Sequence, residues 1–478
     1  MSLSTFRDAL KSDDLVAQLR NSVIGDGMKI PGLFADVSLV YADYVASGRA
    51  LAPVEDYIRD HVLPYYANSH TEASYCGAYM TRLRAEARAE IARLTRADKC
   101  SVIFTGSGAT AGLNRLVSLF GVNSARKAVV FVGPYEHHSN LLPWRESNAE
   151  IVEIPETAQG GPDLAVLEAE LLARSDADLK IGSFSAASNV TGIVTDPMET
   201  TRLLKAHGAL SVWDYAGGGP YLPIDMNSTP ECLIDAVVVS THKFPGGPGG
   251  SGVLIVRDTS VVRDTPTWPG GGTVTFVSPW DHAYSTSISA REEAGTPNVI
   301  GDIRAALAFM VKDAIGQDFI TRREAELNRM AFDGWRDNAQ LSLLAPDQQE
   351  RLPIFSFLVS RADGTPFHHQ LFTRMLSDVY GIQTRGGCAC AGPYAHRLLK
   401  IAQAESQDLF NDLQAGKEMR KPGWVRLNFS YLMDDAQVRY VLDSVNELTT
   451  RLEELEQHYT VDASTARFSI KPDSRAVA

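Results

Sequence analysis

Three short stretches of the sequence carry side chains whose chemistry needs an account. "VVVSTHK" ends an apolar run in Lys243, and "VWDYAGGG" ends another in Asp214. "TRGGCACAGPYAHRLL" sets Cys388 and Cys390 one residue apart in a glycine-rich loop that runs into a helix. A lysine at the end of a buried strand is costly while charged; burial lowers its pKa, and the neutral amine is suited to a Schiff base. Read alone, the segment equally allows a surface lysine. A buried Asp214 needs a partner, and a protonated heterocyclic nitrogen is one, although an aspartate after a strand also caps helices and forms turns. The cysteine pair allows four readings: a metal clip, a disulfide, a buried structural pair, or a nucleophile with a companion.

Two further segments add to these. "FTGSGATAGLNRLV" gives a strand, a turn with Ser107, Ala109 and Thr110, and a helix whose first turn offers free N–H groups to an anion. It lacks the lysine of a Walker loop and the G-x-G-x-x-G spacing, so one phosphate monoester fits better than a triphosphate. "GPYEHHSNLLPW" places Glu136, His137, His138 and Asn140 just past a strand end. A histidine there can stack on a flat ring, bind a metal or cap a helix; adjacent histidines diverge, which argues against one shared metal.

The elements that must position these groups alternate from Val40 to about Arg257. "SVIFT", "KAVVFVG", "LKIGSFSAAS", "LSVWDY", "DAVVVS" and "GVLIVR" are short, β-branched and bounded by turn formers, as strands buried on both faces are. Helical periodicity fills the gaps at Met80 to Leu94 and Leu164 to Leu172. This is an α/β pattern, a large domain with a mostly parallel, mixed sheet flanked by helices. Beyond "AGTPNVIGDIRAALAFMVKDAIG" the pattern changes to a smaller α+β domain. We expect an N-terminal helical segment at 1–40 packed on the small domain, a large domain at 41–300, a small domain with the cysteine loop at 301–458, and a fraying tail at 459–478.

The chain has 478 residues and a net charge of -13, with no basic run. That excludes the positive stripe a phosphate backbone requires, and with it nucleic acid and anionic membrane as partners. Apolar runs are far shorter than the ~20 residues of a membrane span, and "MSLSTFRDALKSDDLVAQLR" mixes acids and bases without a signal-peptide core. A cytoplasmic protein with reduced thiols is expected; the five cysteines show no disulfide framework.

A phosphate turn, a stacking histidine, a carboxylate and a lysine, each at a strand end in that order, together resemble the class V aminotransferase family. The family has pyridoxal phosphate fold type I, and the chain is most similar there to its cysteine desulfurases, from about Tyr41 to Leu455. The resemblance implies that Lys243 carries pyridoxal 5'-phosphate as a Schiff base, Asp214 pairs with the ring nitrogen and His137 stacks on the ring. It also implies Asn189 near the 3′-oxygen, and Thr110, Ser240, His242 and the Ala109 backbone on the phosphate. Thr273 in "PGGGTV" would complete the phosphate site of a second subunit, so a homodimer is expected. "EAGTPN" at 293–298 matches a family segment near the site. One departure stands out: relatives carry Asp-x-Ala-Gln where this chain has "DYAGGG", so Gly217 replaces the glutamine that bonds the 3′-oxygen.

"GWVRLNFSYLMDDAQV" resembles the segment whose arginine binds the substrate carboxylate, which points to Arg426, with Arg385 as a second candidate. "RGGCACAGP" resembles the R-x-G-x-x-C-A-x-P loop of group II cysteine desulfurases, with Cys390 at the catalytic position and Cys388 where histidine is common. The implied reaction converts L-cysteine or L-selenocysteine to L-alanine, with sulfur carried as a persulfide on Cys390. Zinc would need about four ligands, and only His396 is nearby; a disulfide across one residue would be strained and easily reduced. The alternatives are another class V enzyme (aminotransferase, epimerase or C–S lyase) in which Cys390 takes no covalent part, and a non-catalytic scaffold. The segment at 403–423 is either a docking element for a sulfur-acceptor protein or a solvated loop.

Overall fold

Six β-branched runs and one unforeseen segment form a single seven-stranded sheet in the computed structural model, which describes residues 2–69 and 71–475. In chain order the strands are β1 (Cys100–Gly106), β2 (Ala128–Val132), β3 (Glu150–Glu153), β4 (Leu179–Ser185), β5 (Leu210–Asp214), β6 (Ala236–Val239) and β7 (Gly252–Arg257). Their spatial order is β1-β7-β6-β5-β4-β2-β3; β7 runs antiparallel to both neighbours and the other pairs are parallel. Val129, Val130, Val212, Val237, Val238 and Leu254 are completely buried. Each such side chain contributes roughly 1.5–3 kcal/mol, which explains continuous apolar runs in place of alternation. In this topology the parallel strands share one carboxyl edge, and Asp214 ends β5 there while Ser240 to Lys243 follow β6.

The chain divides into two units. The large one comprises Met1–Val23, Ser47–Ser188 and Val194–Phe319; the small one comprises Ile24–Ala46, Asn189–Ile193 and Ile320–Ala478. This differs from the expected boundaries at both ends. The helix Leu3–Ala9 lies in the large unit, where Phe6 and Leu10 are buried, Arg7 pairs with Glu90 at 2.5 Å and the Leu3 N–H meets Glu86 at 2.9 Å. The helix Val299–Ile315 also stays with the large unit, because Ile303, Ala305, Ala306, Leu307, Ala308 and Val311 bury nearly its whole circumference.

In the small unit, strands Leu341–Leu343, Ile354–Ser360, Trp424–Asn428 and Arg385–Gly387 lie side by side in that order, and Pro366–Phe367 pairs with the second. Ala42, Phe355, Phe357, Phe372, Leu427 and Phe429 form the centre of its core. Instead of fraying throughout, the tail folds Tyr459–Asp462 and Arg467–Ile470 into an antiparallel hairpin anchored by the buried Tyr459. Its last three positions, 476–478, lie outside the described residues. Among the described residues no helix is long and apolar enough to cross a membrane.

Candidate active site

In the large unit the strand ends bring most of the expected residues to the sheet's carboxyl edge. Asp214 is 3% exposed, and its Oδ1 accepts the Ala216 N–H at 2.8 Å. Burial pushes its pKa upward, while that N–H and the nearby Lys243 ammonium pull it down. Lys243 ends a 3₁₀ turn, Thr241–Lys243, that begins straight after β6, and its backbone N–H closes on the Ser240 carbonyl at 3.1 Å. Gly48 packs against this turn: its N–H donates to the His242 carbonyl at 2.8 Å, and a Cβ there would meet the Phe244 carbonyl oxygen at 2.0 Å.

The phosphate turn is built by glycine. Gly106 and Gly108 have φ of 78° and 61°, and a Cβ on Gly108 would sit 2.9 Å from Ser240 Oγ. Ser240 Oγ accepts the Ala109 N–H at 3.0 Å and keeps its own O–H to give. His242 lies beside the same glycine, its Cε1 3.6 Å from that Cβ position. Ser107 and Thr110 are exposed at the start of the helix Gly108–Leu119, whose first turn leaves N–H groups without helical partners. Thr110 Oγ1 is 2.7 Å from Ser139 Oγ, which is 3.1 Å from His137 Nδ1. Ser139 thus ties the 106–110 turn to His137, and its place two residues after His137 is the sequence signal for it.

Glu136 is a second buried carboxyl at this edge. It accepts from the Ser185 N–H (2.9 Å), Ser185 Oγ (2.6 Å) and Asn140 Nδ2 (2.5 Å), and Ser185 lies opposite Asp214 in the β4–β5 register. Burial first, and then the charge of Asp214, hold its pKa up at about 7 against those three bonds. An unfolded glutamate titrates near about 4.3, so between there and about 7 the folded chain binds the extra proton. Stability therefore falls as pH rises through that window, by up to about 1.4 kcal/mol per pH unit from this group. We expect Glu136→Gln to remove that slope in urea unfolding measured across the window; an unchanged slope would show that Glu136 is ionised throughout.

In the small unit, Arg385 and Arg426 face each other across neighbouring strands, an arrangement of like charges that needs an anion. Asp43 supplies it: Arg426 Nη2 donates to Oδ1 at 2.9 Å and Arg385 Nε to Oδ2 at 3.0 Å. Arg426 is 3% exposed, its Nη1 donates to the Asn189 carbonyl at 3.1 Å, and its Nε is buried without a partner. Asn189, expected at a cofactor oxygen, belongs to this unit; its Nδ2 donates to the Ala389 carbonyl at 2.8 Å, and its Oδ1 is buried without a partner. Ala389 and Cys390 have φ of 54° and 55°, and the Ala391 N–H returns to the Cys388 carbonyl at 3.2 Å. That is a type I′ turn, with exposed Cys390 at its third position.

Thr273 and the 293–298 segment are both tied into the large unit. Thr273 is fully buried in its own chain and its Oγ1 donates to the Gly270 carbonyl at 2.7 Å, closing a turn beside the exposed Phe276 and Val277. Glu293 of "EAGTPN" accepts from Arg84, from Arg88 at 2.8 Å and from the Phe104 N–H at 2.7 Å, bracing β1 from behind. At 217 the glycine is buried and offers no side chain. Asp43 escaped the sequence reading because "YADYVASG" has no periodicity to mark it.

Comparison with known proteins accounts for this arrangement. The sequence model described as aminotransferase class-V matches residues 40–441. A probable cysteine desulfurase of Halalkalibacterium halodurans is 27% identical over 373 residues, covering 77% of this chain and 88% of the relative. The apo cysteine desulfurase of Thermococcus onnurineus superposes with a TM-score of 0.71 at 24% identity, covering 86% of this chain and 95% of that one. The Escherichia coli cysteine desulfurase CsdA, in its S-sulfonic acid form, gives 0.70 at 22% identity, over 91% and 98%. With the sheet order and the match over most of its length, this chain belongs to the class V aminotransferase family and has the fold type I architecture.

Proposed function

We propose that the chain is a pyridoxal phosphate enzyme that takes sulfur from L-cysteine, or selenium from L-selenocysteine, releases L-alanine, and holds the sulfur as a persulfide on Cys390. The observation that carries this reading is the cysteine turn: an exposed thiol at the corner of a turn with two left-handed non-glycine residues, next to the strand bearing a buried arginine. The similarity to cysteine desulfurases supports it.

The residues present fit the cofactor. The glycine-bounded helix start at 107–110 and the Ser240 hydroxyl suit a phosphate, His137 suits a ring face, and buried Asp214 suits a ring nitrogen beside the Lys243 amine. Bound pyridoxal phosphate supplies an electron sink for the charge left when the α-proton departs. Lys243 holds the cofactor and, once its amine is free, removes that proton. Arg426 takes the substrate carboxylate with its unpartnered Nε, while Asp43 fixes the guanidinium from the other side. Arg385, half-exposed, balances Asp43 and stands ready as a second contact. Cys390 thiolate then attacks the substrate sulfur, the C–S bond breaks, and Asn189 keeps the turn in place.

A homodimer is part of the proposal, since Trp280, 90% exposed, with Phe276 and Val277 forms an apolar hairpin tip beside Thr273. An acceptor protein would meet the helix Gln403–Gln414, which exposes Phe410. Turnover of L-cysteine with product analysis tests the reaction type. Alanine with bound or released sulfur is expected; pyruvate with ammonia would make the enzyme a lyase.

A further inference from the structure

The type I′ turn also assigns a task to Cys388. That turn type favours Asn-Gly at its centre, yet here Ala389 and Cys390 occupy the left-handed positions, which cost strain in residues with a Cβ. The Asn189 amide on the Ala389 carbonyl and the helix Gly392–Leu398 hold the shape. Cys388 and Cys390 are thus first and third residues of a tight turn, two Cα–Cα steps of about 3.8 Å bent short of full extension. A disulfide needs Cα atoms about 4.4–6.8 Å apart, so the pair is within reach of one. Both thiols are free, with Cys390 exposed and Cys388 half-buried.

Other uses of the pair find less support. His396 Nδ1 donates to the Gly392 carbonyl and its Nε2 lies against Ser406 Oγ, both at 2.8 Å, and no group of three or more metal-ligating side chains occurs among the described residues. Elsewhere, Cys100 donates to the Asp98 carbonyl at 3.4 Å with its thiol pushed up to about 11 by burial, and Cys232 donates to the Met198 carbonyl. Those are structural thiols.

We propose that Cys388 is a resolving thiol that discharges the persulfide of Cys390 as sulfide, a step that rests on the persulfide reading above. The Cys388 thiolate attacks the inner sulfur of the Cys390 persulfide. The persulfide S–S bond breaks, a Cys388–Cys390 disulfide forms, and the terminal sulfur leaves as hydrosulfide with its proton. The departing sulfur gains two electrons, and the two cysteine sulfurs together lose two. A low-molecular-weight thiol, or a protein dithiol, then reduces the disulfide by exchange; closure across a single residue makes that reduction easy. Sulfur thereby has a soluble exit beside direct transfer to an acceptor protein.

The test loads sulfur without substrate chemistry, using inorganic polysulfide on the whole protein in anaerobic, thiol-free buffer, followed by mass analysis of the loop peptide and sulfide assay. Wild type is expected to lose two hydrogen atoms from the loop and release one sulfide per loaded chain. Cys388→Ser is expected to keep one added sulfur on Cys390 and release sulfide only when thiol is added. A wild-type loop that keeps the added sulfur, with Cys388 open to alkylation, overturns the proposal. If the disulfide forms from polysulfide while L-cysteine delivers no sulfur to Cys390, the resolving step stands and the desulfurase reading falls.

Discussion

Replacing Lys243 by alanine should lower turnover by at least about 100- to 10,000-fold, the range that one positioned proton-transfer group supplies. The same variant should no longer hold cofactor through a bond that borohydride fixes to the chain, whereas wild type should yield a labelled peptide ending the β6 segment. Two features place this demand on Lys243. The 3₁₀ turn after β6 aims the residue from a rigid strand end, and it lies close enough to Asp214 for its charge to lower that carboxyl's pKa. Full activity in Lys243→Ala, or a borohydride-labelled peptide elsewhere, would move the reactive amine to another residue.

Asp43→Ala is expected to have the largest effect on stability, about 3–5 kcal/mol, because it strands buried Arg426 opposite Arg385 with no anion between them. Desolvation already drives the Arg426 pKa downward, and Asp43 is the main force restoring it. A second change, Arg426→Leu, should recover part of the loss by removing the uncompensated charge while abolishing carboxylate recognition. Denaturant unfolding of the two variants decides the matter. If Asp43→Ala unfolds like wild type, the arginines are screened by solvent and the network is ornamental.

The parts of the site that could be read from the sequence are those that depend on neighbours in the chain. Lys243, Asp214 and the 106–110 turn each follow an apolar strand directly, so strand end and chemistry appear in one segment. The bond between Asp43 and Arg426 joins residues 383 positions apart, and that between Asn189 and Ala389 spans 200, so no local pattern marks either. β3 was missed because Glu150 and Glu153 flank two apolar residues in a sheet-edge strand, and Arg385–Gly387 because glycine hides strand propensity. The apolar face of the helix Leu3–Ala9 likewise reveals burial and not the partner it packs on.

Cys388 began as the companion of a presumed nucleophile, and the turn gives it a position from which it can act. Because a resolving thiol would erase the persulfide, the decisive measurement uses the Cys388→Ser background. The protein, loaded with pyridoxal phosphate, is given L-cysteine without thiol, and alanine and the loop peptide mass are read after a single turnover. The account predicts one alanine per chain and one added sulfur on Cys390, with both lost in Cys390→Ser. Alanine formed while Cys390 stays unmodified, or formed equally by Cys390→Ser, would contradict it.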